Sequence, residues 1–349
     1  MTCARWAVLA VALVRLLAAV PVAAEIIFPP GFTTQVYVTG RGFGREGEPD
    51  VRGIPSSSTL AVDDTGVLYI ARTSRRYGGT EVENLWPLYR IPAGGVRLTP
   101  ETEARFFYGP PLINSQVGAV SPTGHVFVTT YDRDRKIGVL YRVLDGRAEL
   151  FAGGTPERGI APLLRQPEGV TIDAGGNVYV ADREQGVVIK LDPTGKVLDP
   201  RFLALTRPRL MALDDRQRLF IGGDEDASAP WQPSPGVVWR AGADASLVAA
   251  LRGPLAAGLI AGPGGRIFVA DRQAAKIIVL DAEGTTSEFA RFTDGDAPRG
   301  LAFVPDTPAT RRAGIAGDLL VITISRSRWP VNEVIRVSGP FGAPGAHAR

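Results

Sequence analysis

Glu168, Arg209 and Arg299 are the residues whose type and spacing could do chemistry in this sequence. Glu168 stands eight residues before Gly176, and Arg209 eight before Gln217. Arg299 takes the same place before Gly317 once an insertion after Val304 is allowed. A carboxylate in such a position can act as a general acid–base. Two guanidinium groups can grip a carboxylate or phosphate in a bidentate fork. The same offset elsewhere gives Ser58, Gln116 and Ala257. The plainer reading of the charged three is an internal ion-pair cluster in which Glu168 neutralises the arginines.

Four loops accompany these positions: Arg72 to Tyr77, Asp132 to Arg135, Asp224 to Asp226 with Trp231, and Ser325 to Trp329 with Arg326. Trp231 and Trp329 lie beside prolines and could stack on a sugar or peptide, or cover apolar strand edges. Asp224-Glu225-Asp226 lacks the alternating ligands and the glycine of a calcium loop, so it reads as solvated loop. The sequence has two histidines, His125 at a turn and His347 near the C-terminus, so a zinc held by several histidines is excluded. A divalent cation wants several oxygen ligands, and only Glu168 and Gln116 offer them while two arginines repel it. We therefore expect no metal and no cofactor.

The elements that carry these residues come from a short phrase repeated six times. Its clearest copy runs from Pro167 to Asp182: an apolar strand, a tight turn and a second apolar strand. The turns fall at 64–66, 122–124, 174–176, 215–217, 263–265 and 315–317. Glycine and aspartate supply the positive φ and the local hydrogen bonds that a two-strand reversal needs. A repeat of 40–60 residues built from alternating short strands predicts a β-propeller: all-β, six blades, four antiparallel strands each. In the third blade we expect strands at Glu168 to Ile172, Asn177 to Ala181, Val187 to Leu191 and Val197 to Leu203. Fourth strands elsewhere are expected near Arg105 to Tyr108, Ala148 to Ala152, Ser246 to Leu251 and Thr286 to Ala290.

The sixth copy lacks a fourth strand, because Ser338 to Gly345 has turn composition. Thr34 to Val38 is a lone strand before the first copy. Pairing it with Glu333 to Val337 would close the ring and remove two open sheet edges. In each blade the first strand should line the axis, with the residues named above at the channel mouth.

Six similar copies over most of 349 residues argue for one domain, over residues 25–340, with a flexible tail at 341–349. Arg5, the apolar run Trp6 to Val14 and the small residues Val22-Ala23-Ala24 fit a secretory signal over residues 1–24, cut after Ala24. Export to a secreted or periplasmic location follows as an expectation. Arg15 breaks the apolar run, and no run is long enough for an integral membrane segment. Cleavage would remove Cys3, the only cysteine, together with any thiol chemistry, and leave a net charge near +1. No basic stripe with interleaved aromatics is present, so nucleic acid is not an expected partner.

Pro167 to Leu191 resembles the NHL-repeat family of six-bladed propellers, within the gluconolactonase and TolB-like superfamily. The stretches Ala152 to Thr155 and Ala161 to Gln166 are similar to the loop joining NHL blades, and Gly258 to Asp281 is a second match. The other blades diverge: Arg72, Thr130, Gly223 and Thr323 replace Asp182 and Asp271. The resemblance implies the fold from Gly31 to about Val337. It says little of activity, since this architecture hosts scaffolds, lectins, lactonases, lyases and dehydrogenases. Lactonases of this kind hold a cation with channel oxygens, peptide-amidating lyases a zinc, and quinone-dependent sugar dehydrogenases a histidine base. The strictosidine-synthase type uses one channel glutamate, which Glu168 could imitate. The expectation is a module binding an anionic small molecule, glycan or exported protein through Arg209, Arg299, Gln116, Ser58, Trp231, Trp329 and Arg326. The alternatives are a hydrolase or lyase using Glu168, and a scaffold subunit of an exported complex.

Overall fold

The computed structural model describes residues 26–43, 52–55, 57–72, 85–132, 134–225, 235–242, 245–254, 256–293, 295–325 and 332–342. The proposed signal, Trp231, Trp329 and Arg326 lie outside them.

Six antiparallel sheets follow one another along the chain. Blade three is representative, with strands Pro167–Ile172, Val178–Asp182, Val187–Leu191 and Val197–Ala204. The first strands of the blades touch in sequence, and that of the sixth (Asp296–Phe303) returns to that of the first (Ser57–Val62). The ring is therefore a six-bladed propeller.

Burial explains the strand pattern. Leu68–Arg72, Val178–Asp182 and Leu219–Asp224, all second strands, are buried at every residue. Each lies mid-sheet between two neighbouring blades, so it reads as a continuous apolar run, not an alternating one. Outer strands such as Arg147–Gly153 are largely exposed over their first half. The core is accordingly divided into six layers, one between each pair of blades.

Every turn between first and second strands contains a residue at positive φ. Five use glycine, among them Gly176 at 80°, and the fourth blade uses Gln217 at 60°. An aspartate caps several of these turns. Asp173 Oδ1 accepts from the amides of Gly175 and Asn177, both at 2.9 Å. This local bond offsets the left-handed backbone and sets the register of the hairpin.

The N-terminal strand Thr33–Gly40 closes the sixth blade, with Thr34 opposite Val337 and Val36 opposite Ile335. Two features go beyond this scheme. Val96–Leu98 runs parallel to Thr33–Gly40, giving the sixth blade a fifth strand contributed by the first. Ile26–Ile27 adds a fifth strand to the fifth blade. The first blade's outer strand is also later than its apolar pattern implies. Glu103–Phe106 is a 3-10 turn and the strand is Phe107–Ile113, because the chain must first detour to the sixth blade through Val96–Leu98. Phe341 lies within the segment read as tail, yet it is buried among Phe32, Phe289 and Phe303.

Candidate functional site

Three of the six axial positions meet at one cavity. First strands of all six blades line a cavity of about 60 Å³ on the axis, with Ser58, Glu168 and Ala257 on its wall. Gln116, Arg209 and Arg299 each adjoin wall residues, namely Val117, Leu210 and Gly300. The space is small because glycines let the blades approach. A Cβ on Gly169 would lie 2.4 Å from the carbonyl oxygen of Arg209, and one on Gly258 would lie 2.5 Å from that of Arg299. The enclosed space is too small for a ligand of metabolite size.

Glu168 lies on the wall of this cavity. Its residue is 6% exposed. Its position is built outward from Asp182, which accepts from the amide of Arg165 at 2.6 Å and fixes the loop entering the blade. That loop presents Gln166, whose Nε2 donates to Glu168 Oε1 at 3.0 Å. The Thr129 hydroxyl of the second blade donates to the backbone carbonyl of Glu168 at 3.1 Å. Arg209 Nε donates to Oε2 at 3.0 Å, and Arg183 reaches Oε1 at 3.4 Å. Oε1 thus accepts from Gln166 and Arg183, and Oε2 from Arg209.

Arg183 is a member of this cluster that the spacing argument missed. It follows Asp182 at the end of the second strand, in the segment Ala181-Asp182-Arg183, and Arg272 holds the same place in Ala270-Asp271-Arg272. The repeated Ala-Asp-Arg phrase was the available signal. Asp182 and Asp271 cap backbone amides: Asp182 Oδ1 accepts from Gln185 and Asp271 Oδ1 from Ala274.

The two arginines sit in different fields. Glu168's negative charge raises the Arg209 pKa above its ordinary value. Arg299 is lowered to about 10, first by burial and then by the positive charges of Arg272 and Arg209. The positive charges of Arg272 and Arg209 thus bear on Arg299, although Arg209 and Arg299 belong to blades two apart.

Asp224 departs from the solvated-loop reading. It ends the second strand of the fourth blade, is 4% exposed and pairs with Arg207 at 3.2 Å. Strand pairing with Gly236 carries it inside the sheet. Glu225 pairs with Arg252. On the other side of the mouth, Ser58 Oγ and Ser115 Oγ are buried and have no hydrogen-bond partner among the described residues. His125 takes part in a turn, its Nδ1 2.9 Å from Thr123 Oγ1. Among the described residues no three His, Cys, Asp or Glu side chains gather as a metal site would require, and no helix is long and apolar enough to cross a membrane.

Comparison with known proteins agrees with this architecture. The NHL repeat family matches residues 164–186. No curated protein matches the chain. Among solved structures, the PQQ-bound aldose sugar dehydrogenase from Streptomyces coelicolor is similar at 13% identity, with TM-score 0.56, over 89% of this chain and 99% of that one. A putative gluconolactonase is similar at 14% identity and TM-score 0.54, over 90% and 94%. A gluconolactonase from Xanthomonas campestris is similar at 14% identity and TM-score 0.52, over 82% and 87%. At these identities the likeness concerns the fold alone. The chain is a six-bladed β-propeller whose third blade carries an NHL repeat.

Proposed function

We propose that the protein is an exported binding module that holds a small anionic ligand at the channel mouth, gripped by Arg209 and Arg299 with Arg272 and Arg183 beside them. One observation carries the reading. Arg183 and Arg209 both pair with the buried Glu168, and the charges of Arg209 and Arg272 bear on the buried Arg299. A buried guanidinium beside two others is held at an electrostatic cost, and an anion docking there would relieve it. Ser58 and Gln116 on the opposite wall would hydrogen-bond the uncharged part of the ligand. Glycans and exported proteins with acidic groups present the same chemistry. Trp231, Trp329 and Arg326 belong to the sequence expectation for this face.

A catalytic role for Glu168 has less support, since the carboxylate is nearly buried and committed to two ion pairs. Export rests on the N-terminal pattern of residues 1–24, and N-terminal sequencing of the protein recovered from its source tests it. The binding reading is tested by calorimetric titration with citrate. The native chain should bind it, and Arg209→Ala with Arg299→Ala should weaken binding at least about tenfold, or 1.4 kcal/mol. Equal affinity in both proteins would remove the arginines from the site.

A further inference from the structure

We propose that the groove between the third and fourth blades, on the face opposite the channel mouth, is a second binding site for a multiply charged organic anion. The groove has a volume of about 750 Å³, within the range of small-molecule sites. Its walls are the turns that join first and second strands in the two blades. Arg209 and Glu168 lie at the other end of those first strands. A six-residue strand such as Pro167–Ile172 spans about 20 Å, so no single small ligand occupies both places.

The charge of the groove is one-sided. Lys190, Arg216, Arg218 and Arg240 line it, against one lining carboxylate, Asp173. Arg218 is neutralised by Asp214 at 2.6 Å. Asp173 is committed to its own turn and accepts from Tyr179 Oη at 3.1 Å. Among the described residues Lys190, Arg216 and Arg240 have no ion-pair partner. Isolated cations of this kind usually point to solvent. Here they share one concavity whose floor is apolar, formed by Tyr179, Phe202 and Leu213.

One departure from the repeat coincides with this groove, and one recurrent pair supplies two of its cations. In the first four blades an aromatic residue on the second strand stands directly opposite a cation on the third: Tyr69 and Arg90, Phe127 and Arg142, Tyr179 and Lys190, Phe220 and Arg240. The last two of these cations both line this groove, and Lys190 lies over the Tyr179 and Phe202 rings. The departure is Gln217, the one left-handed turn residue among the six turns that is not glycine. A non-glycine residue there costs about 1 kcal/mol or more and persists where the surroundings require it. Its Oε1 accepts from the Ala174 amide at 2.8 Å and ties the two turns into one rim. Strain, uncompensated charge and a preformed rim occur together at this one groove.

The ligand should carry two or more anionic groups and some apolar surface. Phosphate esters and polycarboxylates share that chemistry. The test titrates pyrophosphate and citrate, separately, into the Arg209→Ala, Arg299→Ala protein, whose channel mouth is disabled, at low salt. Binding of either probe is expected, and the one bound more tightly identifies the source. Adding Arg216→Gln and Arg240→Gln should weaken that binding at least tenfold with an unchanged melting temperature, because both side chains are at the surface. Lys190→Gln should weaken it likewise. No binding of either probe overturns the groove proposal, and so does binding that survives Arg216→Gln with Arg240→Gln. Failure of the channel site leaves this outcome untouched, since the titration is performed without it.

Discussion

The backbone carbonyl of Arg209 lies 2.4 Å from the place a Cβ on Gly169 would occupy. Glu168, the ion-pair partner of Arg209, immediately precedes that glycine. The closeness of the third and fourth blades is thus what brings the carboxylate and the guanidinium within 3.0 Å. Gly258 stands in the same relation to Arg299. Bare backbone in one blade positions the cation of the next.

Gly169→Ala and Gly258→Ala should therefore each push a first strand outward. The contact is with backbone, so the methyl cannot be accommodated by a rotamer change. Overpacking of this kind costs about 1–3 kcal/mol or more. Both variants should lose citrate affinity and melt at lower temperature. Gly94→Ala, which meets nothing within 4 Å, is the control and should do neither. Unchanged citrate binding in Gly169→Ala would separate blade spacing from the site.

Deleting residues 1–54 should abolish cooperative unfolding. The deletion removes Thr33–Gly40, which pairs with Asn332–Ser338 on one side and Val96–Leu98 on the other. It also removes Val38, fully buried in the layer between the sixth and first blades, and exposes two sheet edges. Circular dichroism melting decides this, and a sharp transition at the native temperature would show that the ring does not depend on its N-terminal strand.

The ring and its closure were legible because they rest on local signals repeated six times: a left-handed turn residue, an apolar run after it, and a fixed offset back to the axis. The same offset found Glu168, Arg209 and Arg299. It could not find Arg183, whose role depends on reaching across the mouth of its own blade to Glu168. Nor could it show that Asp224 is buried, because an acidic triplet looks solvated until strand pairing with Gly236 draws its first member inside. The parallel strand Val96–Leu98 escaped for a related reason. Its partner is more than 50 residues distant, in another blade, and three residues carry no periodicity.

Citrate affinity at the channel mouth should fall as pH rises through about 10. Burial and the neighbouring arginines hold Arg299 there, below the usual guanidinium range. The folded pKa of this base is depressed, so the fold disfavours its charged form. That penalty is complete below about pH 10 and is relieved as pH rises from there toward the usual guanidinium range, so this group does not destabilise the protein as pH rises. The binding charge, in contrast, is lost across the same window, where citrate remains fully ionised. Calorimetry at a series of pH values checks the prediction. A constant affinity between about pH 8 and 11 would remove Arg299 from the ligand's contacts.

Glu168→Gln separates the structural role of Glu168 from a chemical one. The native carboxylate accepts from Gln166, Arg183 and Arg209 and is nearly buried. An amide keeps the volume but removes the charge and turns one acceptor into a donor. Arg183 and Arg209 then face each other without their shared counter-ion. Breaking a fully buried pair costs about 3–5 kcal/mol, and the partial exposure of both arginines reduces that to about 2 kcal/mol. The melting temperature should drop accordingly. Citrate affinity should hold or rise, because the site loses an anion that competes for Arg183 and Arg209. A catalytic glutamate would show the opposite pattern: near-native melting, and loss of turnover on a lactone, ester or amine substrate that the native protein converts. Weaker citrate binding in Glu168→Gln, with native melting, would mean that the carboxylate orients the ligand and does not compete with it.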